Sequence, residues 1–251
     1  IGGLTAIFGA LVMLTQSAVK TALAWSTVAQ MGFMLLQCGL GLWTLALLHI
    51  VAHSLYKAHA FLASGSAIET VASIKRPGPV AIPNAKAVGR AFLLALTIYA
   101  VIGLLFGFAD KPPQALALGA ILIFGVAYLI AQGLADAAPR ALTWRTSLYA
   151  ISAATAYFAL QRISDKLMLG TLPATPQPGP LEWTLMLLTV VTFGVVAVAQ
   201  SLFPLWAYHP AAAGLRVHLA NGLYVNALFD RLLGGWTLPR TTSATPASVK
   251  E

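Results

Sequence analysis

The chain has 251 residues, of which 59% are hydrophobic and only 9% are charged, and its formal net charge is +8. Soluble globular chains carry about 25% charged residues, so a chain with a mean hydropathy of +0.81 cannot cover its core with a water-facing surface. This composition excludes a soluble enzyme, a disordered protein and a nucleic-acid-binding domain. A polytopic helical membrane protein remains, because a transmembrane β-barrel would show short alternating segments instead of long apolar runs.

Apolar segments that could cross a bilayer as helices follow one another through the first 206 residues. A spanning helix needs about 20 apolar residues, and the breaks between the segments contain proline, glycine and charged residues. The predicted spans are 1–14, 21–40, 43–68, 91–109, 115–135, 142–161 and 183–206. We therefore predict an all-α fold with about seven transmembrane helices in the domain 1–206. The first span is short and the sequence starts at Ile1, so we expect that further protein precedes it.

The last part of the chain reads differently. Residues 207–236 form a predicted second unit, in which the segment 215–233 mixes leucines with arginine, histidine, asparagine and aspartate. This mixture predicts an amphipathic helix that lies on the membrane surface. The tail 237–251 is rich in Thr, Ser, Pro and Ala and is predicted to be disordered.

Lysines and arginines are distributed unevenly between the two sides of the predicted bundle. With seven spans, one set of loops and ends holds 11 of the 15 basic residues and the other set holds three, Lys57 being inside a span. Basic residues favour the cytoplasmic side, so we expect a cytoplasmic C-terminus and a multi-pass protein of the bacterial plasma membrane. The larger set is Lys20, Lys75, Arg76, Lys86, Arg90, Arg140, Arg145, Arg216, Arg231, Arg240 and Lys250.

The third predicted span contains three ionisable side chains at intervals of four residues, His49, His53 and Lys57. This spacing puts them on one face of a helix over about 12 Å, with His53 and Lys57 near the middle of the span 43–68. Ionisable groups in a membrane are costly and usually functional. Imidazoles can accept and donate protons, so the stripe predicts a proton relay that includes a proton-exchanging lysine. Two alternatives stay open. The histidines could be polar groups that join helices, while Lys57 extends its ammonium group to the membrane surface. The two histidines could also bind a metal ion, although a third ligand is not evident.

Other polar residues could line or open such a path. Thr27, Gln30, Met34 and Gln37 recur at three- and four-residue steps in the second span, which is typical of helix packing as well as of path lining. Lys20 opens this span and is either an interfacial lysine or a path entrance. Tyr56 and Ser64 lie close to the stripe of the third span. The single cysteine, Cys38, excludes a cysteine-based metal cluster.

Two motifs resemble the proton-conducting, antiporter-like membrane subunits of respiratory complex I and of Mrp-type sodium/proton antiporters. Residues 20–34 resemble the pattern K-R-x-L-A-Y-S-T-x-S-Q-x-G-Y-M, although Thr21 and Trp25 replace its arginine and tyrosine, and Ala18 replaces an acidic residue before it. The next helix resembles H-x-x-x-H-A-x-F-K-A-x-x-F-L-x-S-G-S, with matches at His49, His53, Lys57, Phe61, Leu62, Ser64, Gly65 and Ser66. This resemblance implies that the matching lysines and histidines belong to a hydrophilic axis that conducts protons.

After about residue 90 the later G-F-x-S-K-D-type element of complex I is missing. The run 56–62 and the segment 217–226 are more similar to the DabB branch of the family, which serves inorganic-carbon accumulation complexes. That resemblance implies a transport subunit, not an enzyme by itself, in which proton entry drives a large DabA-like zinc protein on the cytoplasmic face. It implies no metal or other cofactor in this chain, zinc in the partner, and contacts with lipid but not nucleic acid. The alternatives are a proton-pumping subunit of NADH:quinone oxidoreductase, hence part of a redox enzyme complex, and an Mrp-type antiporter subunit.

Overall fold

The computed structural model describes residues 1–65, 84–107, 111–134, 140–202 and 209–233, and these residues form nine α-helices and one short 3-10 helix. The predicted all-α fold is confirmed. The helices are α1 (Gly2–Met13), α2 (Val19–Gly39), α3 (Trp43–Ala63), α4 (Ala85–Leu105), α5 (Pro113–Gly133), α6 (Arg140–Leu167), α7 (Pro180–Ser201), α8 (Pro210–Ala220) and α9 (Val225–Leu232). The predicted disordered tail 237–251 and the end of the third predicted span, 66–68, lie outside the described residues.

Each of the seven predicted spans overlaps one helix, from α1 to α7. Within the described residues, α3, α4 and α7 are long and apolar enough to cross a membrane, while Gly2–Met13 and Pro113–Tyr128 are shorter apolar helices. Large apolar side chains are widely exposed on the outside of the bundle, for example Leu93 and Leu187, each with 66% of its surface accessible. Such exposure is costly in water and is expected where a helix faces lipid.

Several helix ends differ from the predicted spans by two to six residues, and two of these differences have a local reason. Helix α4 starts at Ala85, six residues before the predicted span, because the Asn84 side chain accepts a hydrogen bond from the Ala87 amide at 2.8 Å and caps the helix. Helix α6 continues to Leu167, six residues beyond the predicted span, and carries a charged last turn that pairs with a neighbouring loop. Helix α3 ends at Ala63.

Helices α1 and α2 pack closely because small residues face each other. A Cβ atom added to Gly32 would lie 2.5 Å from the Ala6 backbone nitrogen, and one added to Gly9 would lie 2.7 Å from the Ala29 nitrogen. Neither contact is sterically possible, so glycine is required at both positions. Close backbone approach through small residues is a common way for membrane helices to associate.

The main apolar core lies between α4, α5 and α6. Its fully buried members are mostly alanine and isoleucine, such as Ala91, Ala127 and Ile130, and the Tyr99 and Phe158 rings pack at a centroid distance of 5.0 Å. A second, smaller cluster joins α3 to α5 through Leu42, Leu45, Ala115 and Leu118. Together these contacts place α3 between α2 on one side and α5 and α6 on the other.

The predicted single amphipathic helix 215–233 is wrong in one respect, because the structure divides it. Helix α8 ends at Ala220, and a 3-10 helix, Gly222–Tyr224, turns the chain into α9. Positive φ angles at Gly222 (58°), Leu223 (49°) and Tyr224 (59°) cannot belong to a continuous α-helix. Gly222 lies against the Trp25 ring, where an added Cβ would be 3.2 Å from the nearest ring carbon.

The two C-terminal helices lie at the same end of the bundle as the loop between α1 and α2. The Gln16 side-chain amide donates a hydrogen bond to the Ala220 carbonyl at 3.3 Å, and α8 packs against α1. We call this end, where α2 begins and α3 ends, the Lys20 end, and the opposite end, where α3 begins and α6 ends, the Trp43 end. On α9, Leu228, Phe229 and Leu232 are exposed, as expected for a helix that rests on a membrane surface or on a partner.

Candidate functional site: a histidine–lysine stripe between α2 and α3

Helix α3 is continuous from Trp43 to Ala63, so His49, His53 and Lys57 lie on one face at a rise of about 6 Å per step. That face is turned towards α2, since both ends of the stripe contact α2 side chains or backbone. The three residues therefore occupy the interface between two packed helices. The stripe that the sequence predicts is present as a geometric feature.

His49 is held between two glutamines of α2. Its Nδ1 atom lies 2.9 Å from Gln37 Oε1, and its Nε2 atom lies 2.9 Å from Gln30 Oε1. A protonated imidazole donates a hydrogen bond to both glutamine oxygens. A neutral imidazole donates to one of them and accepts from the NH₂ group of the other glutamine, whose amide has then rotated by half a turn. The two glutamines can thus satisfy His49 in either protonation state.

His53 is the middle member of the stripe and makes no hydrogen bond within the described residues. Its ring is packed edge-on against His49 with a centroid separation of 6.1 Å. The Nε2 atom is enclosed and has no hydrogen-bond partner among the residues that the structure describes. A buried polar atom of this kind usually has a water or another polar group as its partner.

Lys57 is buried, with 6% of its surface exposed. Its ammonium group donates a hydrogen bond to the Leu23 carbonyl at 2.9 Å, and the Thr27 hydroxyl donates to the same carbonyl at 3.1 Å. Because α3 ends at Ala63, His53 is its central residue, and Lys57 lies only about 9 Å from the Lys20 end of the helix. The sequence predicts Lys57 near the middle of the longer span 43–68, whose last residues, 66–68, lie outside the described residues.

The remaining candidate residues are not all brought to the stripe. Gln30 and Thr27 contact it directly or through a shared carbonyl. Tyr56 points outward with 62% of its surface exposed, although its ring centroid is 5.9 Å from the Lys57 ammonium. Ser64 is buried but donates to the Phe61 carbonyl of its own helix, and Lys20 is exposed at the start of α2.

Two partners of the stripe were not assigned from the sequence, the Gln37 side chain and the Leu23 carbonyl. Gln37 belongs to the polar pattern of α2 and lies two helical turns from Gln30, which was a usable signal that both share one face. The Leu23 carbonyl is a backbone group and leaves no trace in the sequence. Both emerge only when α2 and α3 are packed together.

Next to His49, the described helices border a half-open cavity of about 540 Å³. Most of its walls are apolar, from α1, α5 and α7 as well as α2 and α3, and its polar groups come from Gln30, Gln37, His49 and Tyr157. Water in this cavity needs polar partners, so it is the polar groups beside the imidazole that can hold it. Among the described residues, no three His, Cys, Asp or Glu side chains lie close enough together to hold one metal ion.

Comparison with known proteins shows the family to which the chain belongs. Residues 1–128, just over half of the chain, match the model of the NADH:quinone oxidoreductase/Mrp antiporter transmembrane family. The chain belongs to this family. The match includes both motifs on α2 and α3, so the residues of the stripe lie in the part of the chain that the family shares.

Similar proteins include transporter subunits as well as respiratory ones. The probable inorganic carbon transporter subunit DabB2 of Halothiobacillus neapolitanus is 41% identical over 240 residues, which is 92% of this chain and 42% of that protein. The probable subunit DabB of Hydrogenovibrio crunogenus is 59% identical over 30% of this chain and 14% of its own length. The NADH-quinone oxidoreductase subunit L of Rickettsia typhi is 41% identical over 28% of this chain and 11% of its own length. The chain thus spans less than half the length of these relatives.

Proposed function

We propose that this chain is part of the ion-conducting membrane subunit of an inorganic-carbon uptake complex. In this proposal the stripe His49, His53 and Lys57 conducts protons, and their movement drives a DabA-like zinc protein bound on the cytoplasmic face. In this proposal the chain supplies no catalytic residue and holds no metal ion. The observation that carries the proposal is the stripe between α2 and α3, in which each member is set up differently for proton exchange.

The geometry supports conduction over a packing role in two ways. His49 has partners that suit both of its protonation states, and His53 keeps an enclosed nitrogen without a hydrogen-bond partner among the described residues. A histidine that only joined helices would have its polar atoms satisfied in one fixed state. The cavity beside His49 offers Gln30, Gln37 and Tyr157 as partners for water near that imidazole.

The choice of an inorganic-carbon complex rests on the relatives. The DabB2 match extends over 92% of the chain, including the part after residue 128, whereas the match to the respiratory subunit L covers 28%. The C-terminal helices α8 and α9 belong to the longer match. Their position at the Lys20 end, on the side that the basic residues predict to be cytoplasmic, supports a role for them in binding the cytoplasmic partner.

The experiment that tests conduction replaces the middle of the stripe. His53→Ala in the native complex should reduce bicarbonate uptake by at least about tenfold, which corresponds to a barrier higher by about 1.4 kcal/mol, with normal membrane abundance. The matched control is His59→Ala, because His59 lies on the same helix but is exposed, and it should retain uptake. Full uptake by His53→Ala at normal abundance would reject the relay.

A subunit of a proton-pumping NADH:quinone oxidoreductase is the second candidate, favoured by the family match and by the respiratory relatives. The two candidates differ in what binds the membrane subunit. Affinity purification of the native complex in mild detergent, followed by metal analysis, separates them. A single large zinc-containing partner supports the inorganic-carbon complex, and a set of flavin- and iron–sulfur-containing subunits supports the respiratory one.

A further inference from the structure

A second, smaller cavity of about 100 Å³ lies at the Trp43 end of the bundle. It is formed by the start of α3, the start of α5, the end of α6 and the loop between α6 and α7. Its polar lining comes from Thr44, Lys111, Gln161, Asp165 and Thr175. The stripe between α2 and α3 does not extend this far, so these residues have no role in the function proposed above.

The loop before α7 is fastened over this cavity. The Thr175 hydroxyl donates to the Gly41 carbonyl at 3.1 Å, and the Gln114 side-chain amide donates to the Pro176 carbonyl at 2.6 Å. Gly41 has a φ of 70°, and an added Cβ would lie 2.5 Å from the Pro176 ring. The loop therefore bridges the α2–α3 turn and the start of α5 as an ordered roof.

An ion pair stands at the side of the cavity. The Lys111 ammonium lies 2.8 Å from Asp165 Oδ2, with 14% of the lysine side chain and 40% of the aspartate side chain exposed. The Asp165 carboxylate thus reaches water while it remains part of the cavity wall. Gln161, one turn earlier on α6, is buried with 5% exposure, which is unusual for an amide side chain unless it faces a polar space.

The small cavity is a neighbour of the cavity that contains His49. Leu45 lines both cavities. Tyr157 lines the large cavity and Gln161 the small one, and these residues are one helical turn apart on α6. Polar groups therefore continue along α6 from Tyr157 to Asp165, over about 12 Å, towards the end of the bundle opposite Lys57.

We propose that the small cavity is the outer mouth of the ion path, with Asp165 as its terminal proton-exchange group. The proposal rests on the proposed function, because it completes a path whose other end is the stripe. A proton from outside water binds the Asp165 carboxylate, leaves it for a water in the cavity, and passes Gln161 and Tyr157 to reach His49. The Lys111 ammonium attracts the carboxylate and positions it at the cavity, and the Leu45 side chain borders both cavities.

The first test replaces the carboxylate in the native complex. Asp165→Asn keeps the size of the side chain but removes the carboxylate that binds the proton. Ion-dependent bicarbonate uptake should therefore fall at least about tenfold, which corresponds to a barrier higher by about 1.4 kcal/mol. Asp165→Glu should restore most of it. The matched control is Glu182→Gln, an acidic residue at the same end of the bundle in the first turn of α7, which does not line the cavity and should retain uptake.

The second test does not depend on uptake. In a Cys38→Ala background, Thr44→Cys places a thiol in the cavity, and Leu47→Cys places one on the exposed outer surface of the same helix. A membrane-impermeant cationic thiol reagent is added from outside to intact cells. We expect rapid labelling of Thr44→Cys, with loss of uptake, and little labelling of Leu47→Cys in the lipid.

The outcomes separate this proposal from the relay. Full uptake by Asp165→Asn at normal abundance, equal loss in Glu182→Gln, or no outside labelling of Thr44→Cys would each overturn the outer mouth. If Asp165→Asn does not accumulate in the membrane, the labelling result decides. If His53→Ala keeps full uptake, the relay fails, while labelling of Thr44→Cys still reports whether the cavity opens to outside water.

Discussion

Replacement of Lys57 by methionine is the most informative single change in the stripe. Methionine has a similar length and fills the same space, but it has neither the charge nor the three donor hydrogens. The Leu23 carbonyl then loses the 2.9 Å hydrogen bond from the ammonium group and keeps the one from the Thr27 hydroxyl. The packing of α3 against α2 should therefore be preserved.

The structure indicates that the protein should still be inserted. A hydrogen bond from a charged donor contributes about 1.5–3 kcal/mol, while a lysine near the bilayer centre costs about 2.5–3.5 kcal/mol. The two effects are of similar size and opposite sign. We expect membrane abundance close to that of the wild type.

Transport should nevertheless be lost. Without Lys57, protons must travel between His53 and the end of α3 at Ala63, a distance of about 15 Å. One water bridges only about 5.5 Å, two hydrogen bonds in length, so two or more ordered waters would have to replace the lysine. We expect bicarbonate uptake to fall at least about tenfold, which a barrier increase of about 1.4 kcal/mol produces.

A companion variant separates conduction from electrostatics. Lys57→Arg keeps the positive charge and the donor to Leu23, but a guanidinium does not release its proton. Uptake should fall in Lys57→Arg as well as in Lys57→Met, measured in cells that lack the native complex with abundance determined in parallel. Wild-type uptake in Lys57→Arg combined with loss in Lys57→Met would show that only a fixed charge is needed, and the relay would be refuted.

Three further predictions concern packing, docking and topology. Gly32→Ala should lower stability by about 1–3 kcal/mol, as overpacking does, because the new Cβ would meet Ala6, whereas Gly89→Ala has open space and should be neutral or stabilising in a detergent thermal-shift assay. Reversal of the exposed charges at Arg216 and Arg231 should weaken capture of the cytoplasmic partner in a detergent pull-down, and unchanged capture would leave only a lipid-anchoring role for this segment. A reporter that works only in the cytoplasm should give a signal when it is fused to the C-terminus, because the basic residues predict a cytoplasmic end. A signal from a reporter that works only outside the cell would contradict this topology.

The helices and the stripe could be predicted from the sequence because both depend on short-range rules. Apolar runs of sufficient length specify where α1 to α7 occur, and four-residue spacing puts His49, His53 and Lys57 on one face whatever surrounds them. The resemblance of residues 20–34 and 49–66 to a known family pointed to the same two helices. Errors at helix ends came from caps and ion pairs, as at Asn84 and Asp165, which local hydropathy does not include.

The partners of these residues were decided by the tertiary structure alone. Which side chain meets His49 depends on how α2 and α3 cross, so the choice of Gln37 together with Gln30 required the packed helices. The acceptor for Lys57 is a backbone carbonyl, which every residue has and which no sequence pattern distinguishes. Lys111 and Asp165 are 54 residues apart and meet only because α5 and α6 pack side by side. Spacing along one helix is local, but contacts between helices depend on the whole bundle.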